Sequence, residues 1–387
     1  MVHRRAPFVL LILVLSLLPA SALQQQPAAR PADDFLKAVK QRFAPDTRLA
    51  VFDVTTEREG DALVLKGEVD VAAAKDAALK AAREAGHANV VDRIVLLPEA
   101  GLGPRQFGVV TVSVGHMRAQ PRHGAELVNE VLMGAPVSVL KKQNGWYYVK
   151  AGTEKYLGWM EPDHVALMTP EELNAWNAAP KVIATTYFGL VRETASQAGQ
   201  PVSDTVIGAV LKSNGTRAGW IEVELPDGRK GVIDHAAVQD LAAWKASRRA
   251  TPDTIESTAK MFFGVSYLWG GTSGHGFDCS GFVKTVFYLN GIDLARDADQ
   301  QGEQGQDVSI DRDLSDLKKG DVVFFGPRPT GDRTQHISHV GIYLGNKEFI
   351  HCSGRVKRNS FDPKSPIFSE NLLKRLVRAR RMAPPMT

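Results

Sequence analysis

One cysteine at the end of a glycine-rich loop constrains the fold of this chain more than any other feature. The loop Tyr267–Asp278 contains four glycines and leads directly into Cys279. The residues after the cysteine include apolar side chains at helical spacing: Phe282, Val283, Val286, Phe287 and Leu289. Cys279 is therefore predicted in the first turn of a helix, where free N–H groups and the helix dipole favour a thiolate. That is the position of a nucleophile. The alternative is a buried structural cysteine, packed as a small apolar residue.

Two histidines on the arms of a predicted β-hairpin provide a base for this thiol. His339 opens one β-type run and His351 lies in the next, with a turn at Gly345–Lys347 between them. A three-residue turn places His351 opposite Gly341, on the sheet face of His339, with the two rings close enough to meet. A two-residue turn would place the rings on opposite faces. His336 is the rival base, although it precedes the strand.

These motifs together resemble the NlpC-type family of cell-wall cysteine peptidases, which has a papain-like fold. The matching segments are Asp278–Gly281, His339–Tyr343 and Phe349–His351, in the family's order, within a region from about Thr254 to Arg381. The resemblance implies that Cys279 is the nucleophile, His339 the general base and His351 the residue that orients this base. We set the boundaries of this catalytic domain at 250–383.

The same resemblance implies roles for three further residues near the cysteine. Tyr267 would line the oxyanion site together with the backbone N–H of Cys279, and its alternative role is an aromatic core residue. Asp278 and Ser280 would either cap the helix or hold the substrate.

The first 22 residues have the pattern of a secretory signal peptide. Arg4 and Arg5 precede an uncharged apolar stretch from Ala6 to Leu18, and small residues follow at Pro19–Ala22. An uncleaved anchor is the alternative, but the apolar stretch is shorter than the roughly 20 residues of a spanning helix. We therefore expect an exported protein, periplasmic or associated with the cell wall, with no stable membrane span after signal removal. Residues 23–33 are a Gln-, Pro- and Ala-containing linker.

Composition excludes several other classes of protein. Only two cysteines, Cys279 and Cys352, occur in 387 residues, so this is not a disulfide scaffold. A metal site at Cys279, His339, His351 and Cys352 is an alternative, but the cysteines lack the paired spacing of zinc sites, and no metal or cofactor is expected. The net charge of +4 is small, and the basic clusters are not interleaved with aromatics, so no nucleic-acid partner is expected.

The chain before the catalytic region divides into three smaller units. Residues 34–98 follow a helix, strand, strand, helix, strand pattern that resembles the small BON-type domains of exported bacterial proteins, with plain scaffold as the alternative. The predicted helices are 35–43 and 72–85, and the predicted strands are 49–55, 62–69 and 90–97.

Two all-β segments, 107–168 and 182–241, resemble each other. In each, a strand opened by Trp146 or Trp220 is followed by a glycine-containing strand and an Asp-His pair before a valine. They resemble bacterial SH3-like barrels, separated by a helical linker with Trp176. Such modules bind or position wall material, or act as rigid spacers. The predicted fold is multidomain: an α+β papain-like catalytic domain preceded by two all-β SH3-like barrels and a small α+β N-terminal domain.

Two such barrels before an NlpC-type domain resemble the dipeptidyl-peptidase branch of the family. In that branch the first barrel closes one end of the cleft, so that only substrates with a free N-terminal amine fit. The resemblance implies that Asp297, Glu126 and Tyr156 hold this amine. The alternative for Asp297 is a helix cap with Arg296 as a solvated neighbour.

The expected function is therefore cysteine-peptidase cleavage of the γ-D-glutamyl to L-diamino acid bond in peptidoglycan stem peptides that begin with a free L-alanine. Three alternatives remain at this point. One is an open-cleft endopeptidase on intact wall, and another is a wall-binding protein with an inactive papain-like domain. The third is an acyltransferase, because an amine can resolve a thioester in place of water.

Overall fold

The protein, analysed as a computed structural model, is described over residues 34–153, 155–311, 313–328 and 335–382. The signal peptide predicted at 1–22 and the linker predicted at 23–33 lie outside these residues. The described residues build one three-stranded, two seven-stranded, one two-stranded and one six-stranded sheet. None of the helices in these ranges is long and apolar enough to cross a membrane.

The three-stranded sheet carries two helices and follows the predicted element order. Its elements are α1 (Asp34–Phe43), β1 (Phe52–Glu59), β2 (Ala62–Val69), α2 (Ala72–Glu84) and β3 (Val90–Leu96). β1 and β2 are antiparallel, whereas β2 and β3 are parallel. β1 begins at Phe52 and not at Leu49, because the preceding residues form a turn in which Leu49 N and Ala50 N donate to Asp46 O. This turn holds Arg48 outside the sheet.

The first seven-stranded sheet is antiparallel and follows the N-terminal unit in the chain. Its strands are β4 (Phe107–Val110), β5 (Val114–Arg118), β6 (Leu127–Leu132), β7 (Pro136–Gln143), β8 (Trp146–Ala151), β9 (Tyr156–Met160) and β10 (Val165–Met168). The spatial order is β10-β4-β7-β8-β9-β5-β6. Val137, Val149 and Met160 lie in its core, as expected for strands that turn one face inward.

The helix α3 (Pro170–Ala178) connects this sheet to the second one, as predicted for the segment with Trp176. Thr169 and Glu172 form a capping box at its start, and the Trp176 indole donates to Gly134 O.

The second sheet has β11 (Lys181–Ala184), β12 (Phe188–Arg192), β13 (Pro201–Val206), β14 (Val210–Arg217), β15 (Trp220–Glu224), β16 (Lys230–Asp234) and β17 (Val238–Asp240), in the order β13-β12-β16-β15-β14-β11-β17. The helix α4 (Leu241–Ser247) follows.

The last region packs a central helix against a six-stranded sheet. Its helices are α5 (Pro252–Met261), α6 (Cys279–Leu289), α7 (Ala298–Gln301) and α8 (Glu370–Arg375). The short strands β18 (Thr272–Ser273) and β19 (Gly276–Phe277) pair with each other. The large sheet contains β20 (Gln306–Asp307), β21 (Val322–Phe325), β22 (His339–Gly345), β23 (Glu348–Ser353), β24 (Arg355–Ser360) and β25 (Leu376–Arg381), in the order β20-β25-β21-β22-β23-β24.

Both faces of the large sheet are buried along β21. Val322 and Phe324 of β21 point into the core that includes α6. Val323 and Phe325 point into a second cluster with Phe349 on the opposite face. Because side chains alternate along a strand, a run of four apolar residues fits a strand covered on both sides.

The first seven-stranded sheet contacts the loop that precedes α6. Thr272 donates from its backbone N–H to the Glu130 carboxylate at 2.9 Å and from its hydroxyl to the Glu130 carbonyl at 3.1 Å. Gly270 has a φ of +80°, and a Cβ there would lie 2.3 Å from the carbonyl oxygen of Leu127 in β6. Only glycine permits this approach. The first sheet therefore borders the loop leading to Cys279.

Candidate active site

The first turn of α6 holds Cys279 beside a capping carboxylate. Cys279 is the first residue of the helix and is 9% exposed. The Oδ1 atom of Asp278 accepts hydrogen bonds from Gly281 N at 2.7 Å and from the Ser280 hydroxyl at 3.1 Å. Its Oδ2 atom accepts one from Gly270 N at 3.1 Å. Asp278 therefore acts as the N-cap of the helix, one of its two predicted roles.

The hairpin of β22 and β23 places both histidines on one face by a route that differs from the prediction. The turn has two residues, Asn346 and Lys347, with φ of 51° and 63°, and not three. A bulge at Leu344 adds one residue to β22 and shifts the register back. The predicted turn length is wrong, but His339 and His351 still meet, with ring centroids 5.0 Å apart.

A chain of hydrogen bonds connects His339, His351 and Asn359. His339 Nε2 lies 2.7 Å from His351 Nδ1, and His351 Nε2 lies 2.9 Å from Asn359 Oδ1. The Asn359 amide nitrogen donates to Ile367 O at 3.0 Å, so its oxygen is the group that accepts. With neutral rings, His351 then carries its proton on Nε2 and accepts at Nδ1, and His339 donates from Nε2. The Nδ1 atom of His339 is left as a proton acceptor.

Asn359 was missed by the sequence analysis. It lies in β24, in which Lys357 pairs with His351. Because side chains two residues apart share a sheet face, Asn359 lies on the same face as His351. Extending the hairpin argument across the turn at Gly354 would have found it. His336, the rival base, is exposed and precedes β22.

The thiol of Cys279 lies between α6 and the strand that carries His339. Burial raises the pKa of Cys279 to about 12, and the Asp278 carboxylate acts in the same direction, whereas the backbones of Ser280 and Val340 favour the thiolate. Burial therefore opposes the thiolate that the helix terminus is expected to favour. Burial also lowers the pKa of His339 to about 3. Burial thus favours the neutral thiol of Cys279 and the neutral imidazole of His339.

Tyr267 packs against the core that contains Cys279. Burial raises its pKa, and the neighbouring Cys279 acts in the same direction, so its hydroxyl stays protonated and able to donate.

Cys352 is fully buried, is not in a disulfide, and donates to Phe277 O at 3.2 Å. In the part of the chain that the structure describes, no three His, Cys, Asp or Glu side chains are arranged to hold a metal ion.

Arg296 is a buried cation that connects α6 to the first seven-stranded sheet. Its guanidinium contacts Asp278 Oδ2 at 2.5 Å, the Ser280 hydroxyl at 3.0 Å and Asn129 Oδ1 at 2.9 Å. The alternative that made Arg296 a solvated residue is wrong, since only 1% of its side chain is exposed. Burial of this charge is compensated by Asp278. No local sequence pattern signals the contact, which depends on the packing of distant segments.

The three residues expected to hold an amine are only partly brought together. The Tyr156 hydroxyl donates to Asp297 Oδ2 at 2.9 Å. Asp297 is also the N-cap residue of α7, with its own N–H donating to Gln300 Oε1 at 3.1 Å. Glu126 instead accepts a hydrogen bond from the Trp269 indole at 2.7 Å. Glu126 is therefore engaged with the loop before Cys279.

A residue that sequence analysis did not consider also contacts Asp297. The Arg48 guanidinium, from the turn before β1, donates to Asp297 Oδ2 at 2.8 Å. The same carboxylate oxygen thus accepts from Arg48 and Tyr156. Nothing in the sequence near Arg48 signals a partner so far along the chain.

Comparison with known proteins identifies two regions. Residues 264–381 match the model of the NlpC/P60 family, and residues 117–165 match a bacterial dipeptidyl-peptidase SH3 domain. The chain is 28% identical over 275 residues to dipeptidyl-peptidase 6 of Lysinibacillus sphaericus, covering 68% of this chain and 95% of that protein. It is 30% identical over 278 residues to a γ-D-glutamyl-L-lysine dipeptidyl-peptidase of Bacillus cereus, covering 67% and 76% respectively.

A solved structure shares the fold. The crystal structure of an NlpC/P60 family protein from Bacillus cereus covers 72% of this chain and all of its own length, with a TM-score of 0.60 at 23% identity. The six-stranded sheet with α6 thus corresponds to the catalytic domain, and β5–β9 lie largely in the SH3-like match.

Proposed function

Because this chain belongs to the NlpC/P60 family and is a peptidoglycan-acting cysteine peptidase, we propose that it cleaves the γ-D-glutamyl to L-diamino acid bond. Its substrate would be a stem peptide with a free N-terminal L-alanine. The observation that carries the chemistry is the hydrogen-bonded series His339, His351 and Asn359 on the sheet that packs against Cys279. The name of the Bacillus cereus relative, a γ-D-glutamyl-L-lysine dipeptidyl-peptidase, supports the choice of bond.

In the proposed first step, the Cys279 sulfur attacks the carbonyl carbon of the γ-glutamyl group. Its proton moves to His339 Nδ1, the acceptor left free by the bond to His351. The oxyanion would be stabilised by the Cys279 N–H and the Tyr267 hydroxyl, which burial keeps protonated. His339 then returns the proton to the departing amine as the C–N bond breaks. A thioester to Cys279 remains.

In the second step, a water molecule attacks the thioester carbon. His339 accepts a proton from the water and transfers it to the departing sulfur, so that the free thiol and the carboxylic acid product are restored. His351 keeps the His339 ring in the required tautomer throughout, and Asn359 fixes His351 in turn.

Selection of a free amine is assigned to Asp297 and Tyr156. A carboxylate and a hydroxyl on one side of a partly buried site offset the desolvation of an ammonium group. Asp297 directly follows Arg296, which is bonded to the N-cap of the catalytic helix. This connection would keep a constant distance between the amine site and Cys279, and so would select the bond that is cut.

We also propose that the protein is exported and acts in the periplasm or on the cell wall. The support is the sequence of the first 22 residues, in which two arginines precede an apolar stretch and a small-residue cleavage pattern.

The test is cleavage of defined stem peptides by the purified protein. A tripeptide of L-alanine, γ-D-glutamate and a diamino acid should be hydrolysed at the second bond, whereas the N-acetylated tripeptide should be a poor substrate. Cys279→Ala controls for contaminating peptidases. Equal cleavage of both peptides, or efficient cleavage of intact crosslinked peptidoglycan, would favour the open-cleft endopeptidase instead.

A further inference from the structure

The amine site of the proposed function already holds a cation of the protein itself. Arg48 Nη1 contacts Asp297 Oδ2 at 2.8 Å and Asp299 Oδ1 at 2.9 Å, and Nη2 contacts Asp299 Oδ2 at 2.8 Å. Nε and Nη2 bond the Asp46 carboxylate at 2.9 and 2.8 Å. These contacts use all the N–H donors that a guanidinium offers. The Arg48 guanidinium occupies the Asp297 carboxylate that the proposed function assigns to the substrate ammonium.

The backbone of Arg48 is fixed beside this site. Its carbonyl accepts a hydrogen bond from Leu157 N at 2.8 Å, next to Tyr156 in the chain. The carboxylate of Asp46 also accepts one from the Gln300 amide at 2.8 Å. The turn that carries Arg48 is therefore bonded to both the first seven-stranded sheet and the α7 segment.

The whole N-terminal unit is docked on the same sheet. Val51 and Leu97 form one buried apolar cluster with Leu140 and Leu157. Two ion pairs with little exposure add to this contact, Glu68 with Lys141 and Asp70 with Lys150. The N-terminal unit is therefore bonded to the same sheet that carries Tyr156.

The Arg48 guanidinium keeps its bonds to Asp46 and Asp299 when it releases Asp297. Asp46 and Asp299 together hold five of its six contacts to carboxylate oxygens, so an arriving ammonium needs to displace a single bond. The exchange leaves both cations with carboxylate partners. Burial raises the pKa of Asp297, and the Arg296 and Arg48 cations lower it, as expected for a carboxylate that depends on nearby cations.

We propose that Arg48 determines substrate affinity by competing with the substrate's primary ammonium for Asp297. This rests on the proposed function, in which Asp297 accepts that ammonium. The N-terminal unit thereby sets substrate affinity: it weakens the binding of every free-amine peptide by a similar factor and leaves the reaction at Cys279 unchanged.

The test compares KM and kcat of the full-length mature protein for the free-amine tripeptide. Arg48→Gln should lower KM by roughly ten- to a hundred-fold, the scale of one hydrogen bond to a charged group, with kcat little changed. Arg48→Lys, which keeps the charge but has fewer donors, should give a smaller decrease. Arg93→Gln is the matched control, because Arg93 is an exposed arginine of the same unit paired with Glu59.

A second measurement uses methylguanidinium chloride as a probe. It should inhibit Arg48→Gln competitively and raise its KM towards the wild-type value, at concentrations where matched sodium chloride and wild-type protein show little effect. A higher KM in Arg48→Gln would overturn the proposal, since Arg48 would then support Asp297 and not compete for it. An unchanged KM in both Arg48 variants would also overturn it.

These outcomes are separate from failure of the proposed function. If Arg48 plays no such role, the wild-type protein still prefers the free-amine tripeptide over its N-acetylated form. If Asp297 is not the amine site, that preference itself is missing.

Discussion

The imidazole of His339 has a defined tautomer. The Asn359 amide is oriented by Ile367 O, and through His351 it determines which nitrogen of His339 is unprotonated. The pKa of Cys279 is raised to about 12 and that of His339 lowered to about 3, both chiefly by burial. A preformed ion pair is thus disfavoured at rest. In the proposed mechanism, proton transfer to His339 would therefore accompany attack on the substrate.

Cys279→Ala should abolish turnover and leave the fold intact. The thiol forms the covalent bond in the proposed mechanism, whereas its replacement by alanine removes a single atom from a side chain that is 9% exposed. His339→Ala should be nearly as inactive. Tripeptide hydrolysis and circular dichroism check both variants, and Cys352→Ala controls for loss of a thiol elsewhere. Wild-type rates in Cys279→Ala would end the peptidase mechanism.

His351→Asn should keep part of the activity, and His351→Ala should keep less. An asparagine can still accept a hydrogen bond from His339 Nε2, although its shorter side chain holds the ring less well. The effect should fall on kcat, because His351 orients the base and does not bind the substrate. Steady-state kinetics with the free-amine tripeptide measure it. If His351→Asn is as inactive as His339→Ala, the roles of the two histidines are shared.

One bulged residue decides whether the histidine pair can form. With a two-residue turn alone, His339 and His351 would face opposite sides of the sheet, and the extra residue Leu344 restores the common face. The alternation of β-type residues predicted the two strands and the meeting of the rings. It did not reveal how the register is reached, since a bulge depends on φ values that one sequence does not display.

Elements with strong local patterns were predictable from the sequence. The apolar spacing after Cys279 predicted α6, and the α-β-β-α-β order of the N-terminal unit matches the structure. Arg48, Arg296 and Asn359 were not found, because each contacts residues that are distant in sequence or on another strand. A lone arginine among charged neighbours has the same local appearance whether it is solvated or, as for Arg296, fully enclosed.

The architecture brings three distant segments together at Asp297. The first seven-stranded sheet supplies Tyr156, the catalytic region supplies Asp297, and the N-terminal unit supplies Arg48. Arg296 bonds both Asn129 of that sheet and Asp278 of the catalytic helix. The proposed amine site and the helix that begins at Cys279 are therefore connected through one buried guanidinium. A change in the docking of either N-terminal segment should alter KM before it alters the chemistry.

Stability of the protein should decrease as the pH falls below about 6.5. Burial lowers the pKa of His339 to about 3 and that of His351 to about 4, whereas an unfolded histidine titrates near 6.5. Between these values the unfolded chain binds protons that the folded chain does not, so the free energy of unfolding rises with pH across this interval. Above about pH 6.5 the contribution of the two histidines to stability is fully present. Urea unfolding at pH 7 and pH 4.5 measures the difference. The double variant His339→Gln/His351→Gln should lose less stability on acidification than the wild type, whereas His235→Gln, a change at an exposed histidine, should lose as much. Equal losses in the double variant and the wild type would show that the histidine pair is not protected from protonation in the folded protein.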